Sequence, residues 1–129
     1  MKNRFKVWIM KFEINSVDRI YPEEDSCVIA ITQKEVSFSV PFLHLKFDDV
    51  GQFAPNFIEE KHVEKLRSFL PTVKKSKKVY VGCDMGRRRS PATALAVAEK
   101  LEYKKDVEYI REVYKLFNYD VYDFIKERL

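Results

Sequence analysis

The sequence has 129 residues, enough for one compact domain, expected to span 1–129, and too few for two separate cores. Its 46% hydrophobic content, with ten Phe and seven Tyr, excludes a disordered chain, and no apolar run approaches the ~20 residues that cross a bilayer. Twenty-four Lys and Arg against twenty Asp and Glu leave a charge of +4, which permits anionic partners without demanding nucleic acid, and two Cys exclude a disulfide scaffold.

Near the start, charges at Lys2, Arg4, Lys6, Lys11 and Glu13 surround an apolar stretch, 7–10, too short for the core of a secretory leader; a cytoplasmic protein is expected. Residues 6–12 read as a strand with Trp8 in the core, and residues 14–20 as a short helix. Residues 27–32 and 78–82 carry nearly continuous apolar runs, which suit strands covered on both faces of a parallel sheet. Another strand is predicted over 42–47. The helix predicted over 57–70 places Ile58, His62, Leu66, Phe69 and Leu70 on one stripe, with Asn56 and Glu59 as its capping box and Pro71 just past its end. The run Lys74-Lys75-Ser76-Lys77-Lys78 reads as a solvated connection, with anion steering as the sharper alternative. Ser90-Pro91 opens a further helix, because the first turn of a helix needs no N–H from Pro, and residues 106–117 and 119–129 are helical in pattern. Strands alternating with helices predict an α/β fold: a three-layer-like sandwich with a mainly parallel, about four-stranded sheet flanked by helices.

The segment from Val79 to Pro91 carries chemistry. A buried strand ends, a tight loop with Gly86 follows, and a helix starts at once. Inward loop N–H groups and a helix N-terminus make an anion site at the carboxyl end of the sheet. Cys83 opens this loop and Arg89 closes it. The same N–H groups and a nearby guanidinium stabilise a thiolate, so they favour Cys83 as a nucleophile over the ordinary lot of a free Cys, a small buried hydrophobe. Arg89 can grip two phosphate oxygens with its planar fork. Gly86 lets the backbone turn around an oxyanion, and Ser90 can donate to the sulfur and help it leave. Asp84, Met85, Gly86, Arg87, Arg88 and Arg89 are the expected phosphate-binding loop, with Asp84 contributing its backbone N–H only. Cys27 reads as core, at the opposite end of its strand from Cys83, which argues against a redox pair. His44 and His62 read as packing or surface residues. Two Cys and two His are too few and too scattered for a zinc site, and no cofactor is expected.

Cys83-x5-Arg89-Ser90, with Gly86 third among the intervening residues, resembles the phosphate loop of cysteine-dependent protein tyrosine and dual-specificity phosphatases. The resemblance extends over roughly residues 27–129. It implies a general acid on a loop some thirty-odd residues before the Cys. The strand and acidic pair Leu45-Lys46-Phe47-Asp48-Asp49 fit that place, and the family's spacing selects Asp49, with Asp48 as the alternative. It further implies metal-free, two-step phosphoryl transfer through a cysteinyl-phosphate, with Cys83, Arg89, Asp49 and Ser90 as the catalytic set. One departure stands out: the family's usual His before the Cys is Gly82 here. That puts the rate in question more than the fold, and makes Gly82→His the natural reversion.

The implied substrate is a phosphoprotein or a small phosphate ester, handled by a monomer with no membrane partner. Two alternatives stay open. One is a catalytically weak phosphate-binding module, motivated by Gly82. The other is an RNA or nucleotide 5′-phosphatase, motivated by the basic surplus, although nucleic acid is not the favoured partner.

Overall fold

A computed structural model describes residues 10–129. Four strands, β1 (Phe12–Ser16), β2 (Ser26–Ile31), β3 (Phe42–Leu45) and β4 (Lys78–Cys83), form one sheet in the order β1-β4-β2-β3. All three pairings are parallel. The helices are α1 (Glu60–Lys75), α2 (Arg89–Lys100), α3 (Lys104–Val113) and α4 (Tyr119–Arg128), and a 3₁₀ turn spans Val17–Arg19. The α/β fold with a parallel four-stranded sheet is as expected. Among the described residues, no helix is long and apolar enough to cross a membrane.

The two central strands, β2 and β4, are buried almost throughout. Side chains alternate across each strand, so each one feeds two cores. Cys27, Ile29 and Ile31 of β2 and Val79, Val81 and Cys83 of β4 join Leu66, Leu95, Ile110 and Ile125 of the four helices on one face. Val28, Ala30 and Tyr80 point the other way. There Val17 and Ile20 meet them, together with Val36, Phe38 and Val40 of the β2–β3 connection. The flanking of the sheet is therefore uneven: helices on one face, the 3₁₀ turn and an extended loop on the other.

Two elements differ from the sequence reading. The strand expected over 6–12 and the core placement of Trp8 lie mostly or wholly outside the described residues. Within them, β1 begins at Phe12 and runs to Ser16, where a helix was expected over 14–20; parallel pairing with β4 as far as Ser16↔Cys83 outweighs local pattern. The first helix starts three residues later than predicted and passes through Pro71 to Lys75. Its N-cap is Glu59, whose N–H donates to His62 Nδ1 at 2.9 Å, while Asn56 sits outside the helix at φ 63°. Pro71 is on the exposed side. The carbonyl that its missing N–H leaves free can face water, while Leu66, Leu70 and Val73 carry the apolar face onward.

Candidate active site

Parallel strands put their carboxyl ends on one side of a sheet, and the chemistry-bearing residues gather there. In register, Cys83 lies opposite Ser16 of β1 and Ile31 of β2. Cys83 is thus the last residue of β4 rather than the first of the loop, and its side chain is held on the helix face. The loop then turns at Gly86, whose φ of +68° favours glycine. A Cβ there would come within 2.5 Å of the Asn15 carbonyl carbon and 2.6 Å of the Ser16 nitrogen. The loop is therefore pressed against the end of β1, and α2 begins directly at Arg89.

Cys83 Sγ lies 3.2 Å from Ser90 Oγ, and both residues are buried. Burial pushes the Cys83 thiol up. The Ser90 hydroxyl and N–H, the Gly86 N–H and the Arg89 charge together outweigh it, and the net displacement is below the ordinary thiol value. Cys27 is the converse. Burial raises it, the Ser76 side chain and Lys11 only partly oppose this, and it ends above the ordinary value. Both cysteines are free.

Arg89 is 6% exposed. Its Nη1 donates to the Phe47 carbonyl at 2.8 Å and its Nη2 to Asp84 Oδ2 at 3.2 Å. Its Nε is the one buried side-chain polar atom among the described residues with no partner. A buried donor left unpaired costs about 1–3 kcal/mol, which an arriving acceptor would remove. Asp84 also accepts from Thr32 Oγ1 at 2.6 Å. That bond, opposed by partial burial and joined by the Arg89 bond and charge, holds its carboxyl below the usual carboxylate range. The Asp84 side chain, of which only the backbone N–H was expected to matter, thereby links the residue after β2 to Arg89.

Asp49 lies on the connection after β3, where Arg88 Nε donates to its two oxygens at 3.2 and 3.0 Å. Asn118 Nδ2 donates to the same carboxylate at 2.8 Å and to the Val50 carbonyl at 3.1 Å. Asn118 also caps α4, accepting from the Val121 N–H, and its own N–H donates to the Arg88 carbonyl. One Asn thus ties the acidic loop, the Cys83 loop and α4 together. Asp48 faces another way and accepts from Gln33 Nε2 at 3.2 Å. Met85 and Arg87 of the loop are exposed. A cleft of about 350 Å³ opens beside Asp49 and Arg88, with Leu116 and Tyr119 exposed along it.

Gly82 points away from this site, toward the other core. A Cβ there would meet Ile20 Cδ1 at 2.5 Å and Val17 Cα at 3.1 Å. Gly82→His therefore requires the Ile20 side chain and the adjoining 3₁₀ turn to shift, and is not a simple reversion. Sequence reasoning missed Thr32, Asn118 and the Asp84 side chain. For two of these a signal existed: Thr32 is the polar residue that ends an apolar strand on the Cys83 side, and Asn118 immediately precedes a helix, where Asn is a preferred cap.

No protein-family model matches the chain, and no curated protein does. Solved structures similar to it include one described as the crystal structure of Tk-PTP in the active form. The two share 19% identity with a TM-score of 0.59, over 92% of this chain and 91% of that one. The chain has a protein tyrosine phosphatase-like fold.

Proposed function

We propose that the protein is a cysteine-dependent phosphatase that hydrolyses phosphate monoesters, with residues 1–129 as one phosphatase-like domain. The observation that carries this reading is the pairing of a lowered Cys83 thiol, 3.2 Å from Ser90 Oγ, with a buried Arg89 whose Nε has no partner. A nucleophile and a buried donor without a partner thus stand at the two ends of one loop. The fold shared with a protein named as a phosphatase supports the same assignment.

The steps follow from the residues. The Cys83 thiolate attacks phosphorus in line, while Arg89 and the N–H groups from Asp84 to Arg89 hold the charge on the equatorial oxygens. The phosphorus–oxygen bond to the leaving group breaks, and Asp49 gives that oxygen its proton. Water then attacks the cysteinyl-phosphate and yields a proton to the Asp49 carboxylate. Inorganic phosphate leaves, and the returning Cys83 thiolate accepts from Ser90. For this, Asp49 must part from Arg88 as substrate enters.

The cleft beside Asp49 and Arg88, with Leu116 and Tyr119 exposed along it, would take an aromatic or peptide-borne leaving group, which supports a substrate of the dual-specificity or phosphotyrosine class. A phosphate-binding module of low turnover is the second reading. The contact that favours it is the Asp49 carboxylate, engaged by both Arg88 and Asn118. Hydrolysis of p-nitrophenyl phosphate from pH 5 to 8 in EDTA, beside the Cys83→Ser protein, separates the two. Turnover that vanishes in Cys83→Ser is expected. No turnover above Cys83→Ser in the folded, reduced protein would transfer the assignment to the binding module.

A further inference from the structure

We propose that Asp84 is a positioning residue that, braced by Thr32, fixes the Arg89 guanidinium in the plane that receives an oxyanion. The inference deepens the phosphatase reading and rests on it for turnover alone. A carboxylate inside an anion-binding loop needs a reason, because its charge opposes the ligand through a partly desolvated space. Here it stands next to Cys83, and three contacts supply the reason. The Thr32 hydroxyl donates to Oδ1 at 2.6 Å, Arg89 Nη2 donates to Oδ2 at 3.2 Å, and the other end of the guanidinium, Nη1, donates to the Phe47 carbonyl at 2.8 Å. Anchored at both terminal nitrogens, the fork cannot rotate. Its Nε is left buried with no partner among the described residues.

The sheet explains why these residues meet. Ile31 pairs with Cys83 in the parallel ladder, so the next residue of each strand, Thr32 and Asp84, emerges side by side. Thr32 is fully buried, and its hydroxyl also accepts from the Lys34 N–H, so it is itself fixed. Asp84 is half exposed at its side chain, whereas Arg89 is buried. The rigid part of the network is thus Thr32 and the Phe47 carbonyl, and Asp84 transmits that rigidity to the arginine. Simple electrostatics gives the opposite sign for the effect of Asp84 on an anion.

The test is tungstate binding by calorimetry to Cys83→Ser proteins carrying Asp84→Ala, Thr32→Val or Thr32→Ser, with the far-UV spectrum checking the fold of each. Asp84→Ala is expected to weaken tungstate about tenfold or more, the scale of one charge-assisted hydrogen bond. Thr32→Val is expected to weaken it less, with Thr32→Ser restoring it, and the double variant Asp84→Ala/Thr32→Val is expected to lose no more than Asp84→Ala. In proteins that keep Cys83, the pH dependence of alkylation by iodoacetamide should move up in Asp84→Ala, because a loosened Arg89 no longer favours the thiolate. Tighter tungstate binding together with a downward move of the alkylation profile would overturn the proposal, since both are what removing a bystander carboxylate does. Absence of tungstate binding in the Cys83→Ser parent would overturn both this proposal and the phosphatase reading. Absence of turnover with tungstate binding intact would overturn the phosphatase reading alone.

Discussion

The two cysteines are the same residue type in two opposite environments, and chemistry separates them. Cys83 ends a strand beneath loop N–H groups, Ser90 and Arg89, and its thiol is held low; Cys27 is walled in by apolar side chains at the far end of β2 and its thiol is raised. Alkylation by iodoacetate near neutral pH, followed by peptide mass analysis, should therefore modify Cys83 and leave Cys27 intact until the protein unfolds. The sign of the pH dependence follows. A thiol whose folded-state value lies below its unfolded value contributes stability that is present above the unfolded value and lost as pH falls through the folded one. Ser90→Ala removes the hydroxyl that holds the thiolate, so its alkylation profile should move to higher pH, and breakdown of the covalent intermediate should slow by about 10–100-fold. Asp49→Asn should slow esters with poor leaving groups far more than p-nitrophenyl phosphate, whereas Asp48→Asn, at a side chain that faces Gln33, should leave that ratio alone. Equal losses on both ester classes in Asp49→Asn would place the acid elsewhere.

Elements here are held by neighbours as much as by their own sequence, and this decides what was legible. The strand, loop and helix around Cys83 are plain in the sequence, because a buried apolar run, Gly86 and Ser90-Pro91 punctuate them in order. The β1 boundary is not, because its pairing with β4 up to Ser16 depends on residues more than sixty positions away. Pro71 reads as a helix end by local rules, yet α1 continues past it, since the apolar face resumes at Val73 and the proline faces water. Replacing Pro71 with Ala should raise stability by about 1 kcal/mol or more, part of the ~3 kcal/mol that separates the two residues inside a helix, read by thermal unfolding. The contact of β4 with the 3₁₀ turn runs the other way. Gly82→Ala puts a Cβ against Ile20 and should cost about 1–3 kcal/mol in urea unfolding, with Ile20→Ala in the same chain recovering part of it. Thr32 and Asn118 carry local signals, a polar strand end and a helix cap, but their partners, like those of the Asp84 side chain, are illegible, because other elements bring them and a single sequence lists residues without their partners.

Across the whole molecule, the parallel sheet separates what it buries from what it presents. Its order β1-β4-β2-β3 brings the ends of β1, β2, β3 and β4 to one edge, where Asn15, Thr32, Phe47 and Cys83 all touch the same loop network. The same geometry keeps the cysteines apart. Cys83 pairs with Ile31, four residues along β2 from Cys27, which is roughly 13 Å at the strand rise and far beyond the reach of a disulfide. Peroxide treatment of the folded protein should yield no internal disulfide by mass analysis under non-reducing conditions. The most direct test of the account is a rapid acid quench of the protein with a phosphorylated aryl ester, followed by peptide mapping. A transient phosphate on the peptide that contains Cys83, absent in Cys83→Ser, is the predicted result. Turnover with no adduct on that peptide, or an adduct on the Cys27 peptide, would contradict it.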